Sequence, residues 1–175
     1  MSPTPPPEPQ IVGASERPLK LVGAAEHVPV AIDARAHGEV LARQGVAEPR
    51  RVLLHLEDIE AEKNPGSVYG VYLNLPDDAD EEQLAAHHVG NFSFFGIEQA
   101  REPRRDQAPH GVRSSIDITD AAKNLKASGH WDDEQLRVTL RPLGLAAPAG
   151  SDTAPPTPTH EDLPVSVGRV SVSYA

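Results

Sequence analysis

Apolar and polar residues alternate along much of this chain. A period of two marks a strand with one buried face. In "RVLLHLEDI", residues 51–59, Val52, Leu54 and Leu56 share one face, while His55 and Glu57 take the other. "SSIDIT" turns Ile116 and Ile118 inward. "LRVTLRP" turns Leu136, Val138 and Leu140 inward and Arg137, Thr139 and Arg141 outward. "VGRVSVSY" does the same with Val170, Val172 and Tyr174, and "LKLVG" (19–23) and "HVPVAID" (27–33) are shorter strands. "SVYGVYLNL" differs. Tyr69, Val71, Leu73 and Leu75 form one face, but Val68 and Tyr72 keep the other partly apolar. A strand apolar on both faces is covered on both sides or meets another surface.

Helical periodicity is scarce. "TDAAKNLKASG" predicts a helix capped by Thr119 or Asp120 and ended by Gly129. "AHGEVLARQG" (36–45) predicts a short helix ended by Gly45, and "DDADEEQLAAHH" has room for one turn. About eight or nine short strands with turn-rich connections predict a mainly β fold. The expected architecture is an antiparallel β-sandwich or jelly-roll-like barrel with one or two short helices. The helix at 120–128 serves as a crossover between strands.

Length and composition narrow this further. A chain of 175 residues holds one domain and can bury a core without covalent staples. Residues 1–12, beginning "MSPTPPPEPQ", read as a Pro-rich, disordered linker, leaving 13–175 as a single domain. "APAGSDTAPPTPTHEDLP" predicts a mobile loop at about 147–163. There is no cysteine, so disulfides, thiolate metal sites and a cysteine nucleophile are excluded. The net charge of −10 disfavours nucleic acid as a partner. No apolar run approaches the roughly 20 residues of a membrane span, and the N-terminus has no signal-peptide pattern. No membrane partner is expected, and the cytoplasm is the favoured compartment.

Candidate chemistry is sparse. The eight histidines include no pair three or four residues apart, the spacing that sets two rings on one helical face. Adjacent His87 and His88 point in different directions on a strand or helix. No native metal site is therefore expected, only adventitious copper or nickel binding by neutral imidazole. The adjacent pair also fails the His-x-His pattern of a cupin strand. "DDADEE" (77–82) lacks the glycine turn of a calcium loop and reads as solvated. There is no nucleophile elbow and no Gly-rich phosphate loop, so no catalytic residue is assigned. All three phenylalanines fall in "HHVGNFSFFGIE", residues 87–98. Alternation puts Phe92 and Phe94 on one face and Phe95 on the other. Either Gly96 marks a bulge that returns Phe95 to the core, or one of Phe94 and Phe95 stands at the surface as an anchor for another protein's pocket.

The order of these pieces is informative. "SVYGVYLNLP" precedes an acidic loop, then "HHVGNFSFFGIE", then "DITDAAKNLKASGHWDDEQLRVTLRPLG", then "VSVGRVSVSYA". This resembles the C-terminal domain of type 3 copper tyrosinases and polyphenol oxidases, with bacterial tyrosinase-like proteins as the nearest type. In plant members a Lys-Phe-Asp-Val-Tyr-Val-Asn segment stands where Val68–Asn74 stands here. A Gly-Ser-Phe strand is similar to Gly90–Phe92, a strand ends in "VTLRP" (here Val138–Pro142), and a final V-x-V/I-G-x-V strand is similar to Val165–Val170. The likeness covers about residues 50–175. Val68, Tyr69 and Gly70 depart from the plant motif, so contacts of its Lys, Phe and Asp do not carry over.

The resemblance implies a β-sandwich that lies over the entrance to a dicopper site and keeps an enzyme latent. The dicopper centre, six histidines on a helical bundle, belongs to the parent's catalytic domain. This chain is expected to be noncatalytic, with no cofactor of its own. Its expected partner is the tyrosinase catalytic domain, in cis or in trans. Its expected shielding residues are Phe94, Phe95, Tyr72, His87 and His88. A second reading is a freestanding β-sandwich that binds a protein or ligand unrelated to phenol oxidation.

Overall fold

The computed structural model describes residues 9–21, 25–61, 68–93, 112–143 and 165–175. Among them are nine strands: β1 (Gln10–Ala14), β2 (Leu19–Leu21), β3 (Glu26–Ile32), β4 (Val52–Ala61), β5 (Val68–Leu73), β6 (His88–Ser93), β7 (Val112–Asp117), β8 (Gln135–Leu143) and β9 (Val165–Tyr174). Three short helices interrupt them: α1 (Ala34–Gln44), α2 (Glu81–His87) and α3 (Thr119–Ala127). All strand pairings among the described residues are antiparallel. The strands form one sheet in the order β6-β5-β8-β3-β1-β9-β4-β7, with β2 continuing the line of β1 along β9.

The sheet curls until its two ends meet. A Cβ placed on Gly90 of β6 would stand 3.0 Å from Ile116 Cγ2 of β7, so these end strands pack side against side without a shared ladder. Of the two expected arrangements, the nearly closed barrel is the one adopted. The close approach of β6 and β7 crowds the two edges that would otherwise template aggregation.

Its interior follows the alternation of the sequence. Leu54, Leu56, Val71, Leu73, Leu136, Val138, Leu140 and Val172 are all fully buried. Each such side chain contributes about 1.5–3 kcal/mol relative to exposure. Tyr69 stacks on Phe92 inside, ring centroids 5.7 Å apart. In β4 the inward set changes phase, from Val52, Leu54 and Leu56 to Ile59 and Ala61. The switch occurs at a bulge where Asp58 takes a positive φ of 53°. β9 changes phase beside it, from Val165 and Val167 to Val170, Val172 and Tyr174, so the two long strands remain in step.

Local side-chain chemistry sets both ends of α1 but not the start of α3. Asp33 caps α1, accepting from the backbone N–H groups of Arg35 and Ala36, and Gly45 ends it in the left-handed region. The His37 ring on α1 meets the buried Tyr174 hydroxyl at 2.7 Å, and burial pushes that phenol up to about 12. α3 crosses from β7 to β8 as expected, but its cap is not Thr119 or Asp120. Ile118 holds the N-cap position without a side-chain bond. The Thr119 hydroxyl is engaged elsewhere, accepting from Val52 N–H and donating to Asp117.

The acidic run contains a third helix. Asp80 and Gln83 form a reciprocal capping box: Gln83 N–H donates to Asp80 Oδ1 at 2.8 Å, and Asp80 N–H donates to Gln83 Oε1 at 3.1 Å. Asp80→Ala is expected to cost about 1 kcal/mol of stability, read as a lower denaturant midpoint with an unchanged slope. Gln10–Val12 belong to β1, so the sheet begins inside the segment read as linker. Residues 1–8 and the loop expected at 147–163 lie outside the described residues.

Candidate functional site

Strand β5 carries Tyr72 on the outer face of the barrel. Cross-strand register places His27 of β3 opposite Thr139 of β8, Thr139 opposite Tyr72, and Tyr72 opposite His88 of β6. These four side chains make one row across four strands. His27 Nδ1 lies 2.8 Å from Thr139 Oγ1. The Tyr72 ring lies back over Gly70, where an added Cβ would approach it to 2.9 Å. The missing side chain at 70 is therefore the seat of the phenol ring. The His88 ring tilts against Tyr72 at 5.3 Å, and its Nε2 donates to Asn91 Oδ1 at 2.7 Å. Tyr72 is 6% exposed and Thr139 only 1%, while His27 and His88 at the row's ends are exposed.

Charge lies beside this row. Arg137, on the same strand as Thr139, pairs with Asp77. The hydrogen bond from that guanidinium, and then its charge, hold the Asp77 carboxyl below the usual carboxylate range.

His87 takes the opposite direction. It is the last residue of α2, where one further step starts β6, and that step turns its neighbour His88 outward. The His87 ring is 3% exposed, and its Nδ1 donates to the Leu73 carbonyl at 2.7 Å. It meets His130, beyond α3, edge to face at 5.4 Å. Both rings border a cavity of about 430 Å³, also lined by Glu82, Asn124 and Ser128. His130 also lines a larger cavity of about 760 Å³, together with Asn74, Trp131, Asp133 and Arg137 among others.

Of the five residues expected from the sequence to act in shielding, the structure thus brings Tyr72 and His88 together and sets His87 apart from them. Phe94 and Phe95 lie outside the described residues, directly after the last residue of β6. His27, Thr139 and His130 were not singled out by sequence reasoning. No local signal marks them, because only strand register and helix docking bring them to these places.

A type 3 dicopper centre does not fit the described residues. No group of three or more His, Asp or Glu among them is arranged to hold a metal ion. Four of the described histidines already meet hydroxyls: His27 at Thr139, His37 at Tyr174, His55 between Ser115 and Ser173, and His130 at Ser128. No helix among the described residues is long and apolar enough to cross a membrane.

Comparison with known proteins finds similarity to a tyrosinase and to solved polyphenol oxidases. Tyrosinase HcTyr1 of Hahella sp. (strain CCB-MM4) is 26% identical over 133 residues, which are 76% of this chain and 25% of the relative. The chain therefore spans about a quarter of the length of the tyrosinase it matches. Among solved structures, a recombinantly expressed latent aurone synthase (polyphenol oxidase) is 17% identical with a TM-score of 0.48, covering 89% of this chain and 25% of that one. Latent apple tyrosinase (MdPPO1) is also 17% identical, with a TM-score of 0.47, covering 90% of this chain and 28% of that one. The likeness to tyrosinase-type proteins read in the sequence is borne out by the Hahella relative. A family model described as "Domain of unknown function (DUF7868)" matches residues 8–175, and the chain belongs to that family.

Proposed function

We propose that this chain is the noncatalytic C-terminal domain of a tyrosinase-like copper enzyme. It covers the entrance to the dicopper site of a catalytic domain, in cis or in trans, and keeps that site latent or assists its folding and copper loading. The observation that carries this reading is the Hahella match, which takes in most of this chain and only a quarter of a tyrosinase.

The contact surface in this reading is the outer end of β5 and β6. His88 stands exposed there beside the nearly buried Tyr72 ring, and this reading also assigns Phe94 and Phe95 to the contact. Covalent tethering gives a plug an effective concentration on the order of millimolar, so modest contacts are enough to exclude a small phenol.

The test mixes this chain with the copper-loaded catalytic domain of a tyrosinase partner and follows catechol oxidation. A version with the two parts joined is measured alongside. Saturable inhibition is expected, relieved in Phe94→Ala or Phe95→Ala proteins of unchanged thermal stability. Full activity in both the mixed and the joined forms would overturn the shielding role.

A further inference from the structure

We infer that His87 and His130 form a binding site for a divalent transition-metal ion that prefers imidazole nitrogen, with zinc(II) as the probe. The inference rests on tautomers. The Leu73 carbonyl can only accept, so His87 Nδ1 carries the proton. The Ser128 hydroxyl donates to the Leu125 carbonyl at 3.1 Å, so toward His130 Nδ1, 3.0 Å away, its oxygen accepts. His130 Nδ1 is then protonated as well. In the tautomer that this proton leaves, the lone pair of each ring lies on Nε2, and neither Nε2 has a hydrogen-bond partner among the described residues.

This is the arrangement that metal-binding histidines use. One nitrogen donates to a carbonyl or similar acceptor, fixing ring and tautomer, and the other faces the metal. The separation agrees. Two imidazoles bound through Nε2 at a near-tetrahedral angle have centroids about 5 Å apart, and these stand 5.4 Å apart. Both rings border the 430 Å³ cavity. Among the described residues the one buried polar side-chain atom without a partner is Gln44 Oε1, so His87 Nε2 is not sealed away from that cavity.

The surroundings favour a cation. α2 ends at His87 and α3 ends just before His130, whose N–H bonds back to the Leu125 carbonyl. Two helix C-termini thus turn their partial negative charge toward the same place. Glu82 lines the cavity, and the chain carries a net charge of −10. No third protein ligand is in place. The remaining coordination positions are left to water or to a ligand brought by another molecule, which makes the site open and exchangeable. It is distinct from the outer row of Tyr72 and His88 and does not depend on the shielding role.

The experiment titrates the full chain with zinc(II) by calorimetry, with magnesium(II) as a negative arm and copper(II) as a second imidazole-seeking ion. One zinc(II) per chain is expected, with no magnesium(II) binding, and copper(II) is expected to compete for the same site. His130→Ala, a change at an exposed ring, is expected to weaken zinc(II) binding at least tenfold. His27→Ala and His88→Ala are expected to leave it unchanged. Because His87 is buried and its substitution risks the fold, its role is read by NMR of ¹⁵N-labelled histidine. Nε2 of residues 87 and 130 shifts on zinc(II) addition, while both Nδ1 keep their protons. Zinc(II) binding that is equally tight in His130→Ala, or lost in His88→Ala or His27→Ala, would mean an adventitious ion only and overturn the assignment.

Discussion

Gly13→Ala is expected to destabilise the barrel by about 1–3 kcal/mol, a fall in Tm of roughly 2–10 °C. Gly13 sits where β1 is bulged against β9 and paired with Ile32 of β3. A Cβ there would lie 2.7 Å from the Ala31 carbonyl oxygen and 3.2 Å from Ile32 Cα. Those atoms are backbone, so no rotamer change relieves the contact and the β1–β3 pairing itself must open. β1 is the bridge between the two halves of the sheet, with β3, β8, β5 and β6 on one side and β9, β4 and β7 on the other. Strain at this seam is therefore felt by the whole barrel. Gly38→Ala supplies the opposite sign. Gly38 lies within α1, is exposed, and has nothing within 4 Å of an added Cβ. It is expected to stabilise the fold by about 0.5–1 kcal/mol through lower chain entropy and higher helix propensity. Denaturant melts of the two variants against the parent decide both. A Gly13→Ala protein as stable as the parent would mean that β1 does not pair as described.

The strands were legible because alternation is a local signal. Leu136, Val138 and Leu140 face inward as the period predicts, and so do Val170, Val172 and Tyr174. The break at Asp58 was not legible. A positive φ at a non-glycine residue leaves no mark in a pattern of apolar and polar positions, and the phase change it produces is visible only across two strands. α2 was foreseen only as a single turn, because a dense acidic run reads first as solvated. Yet Asp80 and Gln83 stand at capping-box spacing, and that pair was the available signal. The α3 cap was misassigned because the Thr119 hydroxyl is drawn to Val52 of β4, 67 positions away, and to Asp117, two residues before it.

The candidate site divides in the same way. That His87 and His88 point apart follows from adjacency, and the structure agrees. That His88 meets Tyr72 while His87 meets His130 depends on pairings between residues far apart in the chain. Residues 27, 139, 72 and 88 form a row only once β3, β8, β5 and β6 are in register. Metal-ligand spacing rules look for two histidines on one helix. They pass over a pair that is 43 positions apart in sequence and joined by the docking of two helix ends.

A pH effect on stability is expected from His55, and it should appear as a loss of stability on acidification. His55 points to the outer face of β4, yet it is 4% exposed, with Nδ1 2.7 Å from Ser115 Oγ and Nε2 2.6 Å from Ser173 Oγ. A neutral imidazole suits this place, since one nitrogen donates to a hydroxyl and the other accepts from one. Burial lowers the His55 pKa below its ordinary value of 6.5, the Arg113 guanidinium lowers it further, and Glu57 opposes them. Glu57 is held by Arg113 at 3.0 Å, by Arg169 at 3.7 Å and by the Ser171 hydroxyl at 3.0 Å, so much of its charge is already matched. Below pH 6.5 the unfolded chain binds a proton at this residue more readily than the folded one. The contribution is therefore complete above that pH and is lost as pH falls from 6.5 toward the lower folded value. His55→Phe removes the titration and should flatten that part of the profile. It also leaves the Ser173 hydroxyl, which is fully buried, without its partner, at a cost of about 1–3 kcal/mol at neutral pH. Urea melts of the parent and His55→Phe between pH 5 and pH 8 separate the two effects. The difference between the proteins should narrow steadily on the acid side. A constant difference across that range would show that His55 charges as easily in the folded barrel as in the unfolded chain, and that the Ser115–His55–Ser173 bridge does not select the neutral ring.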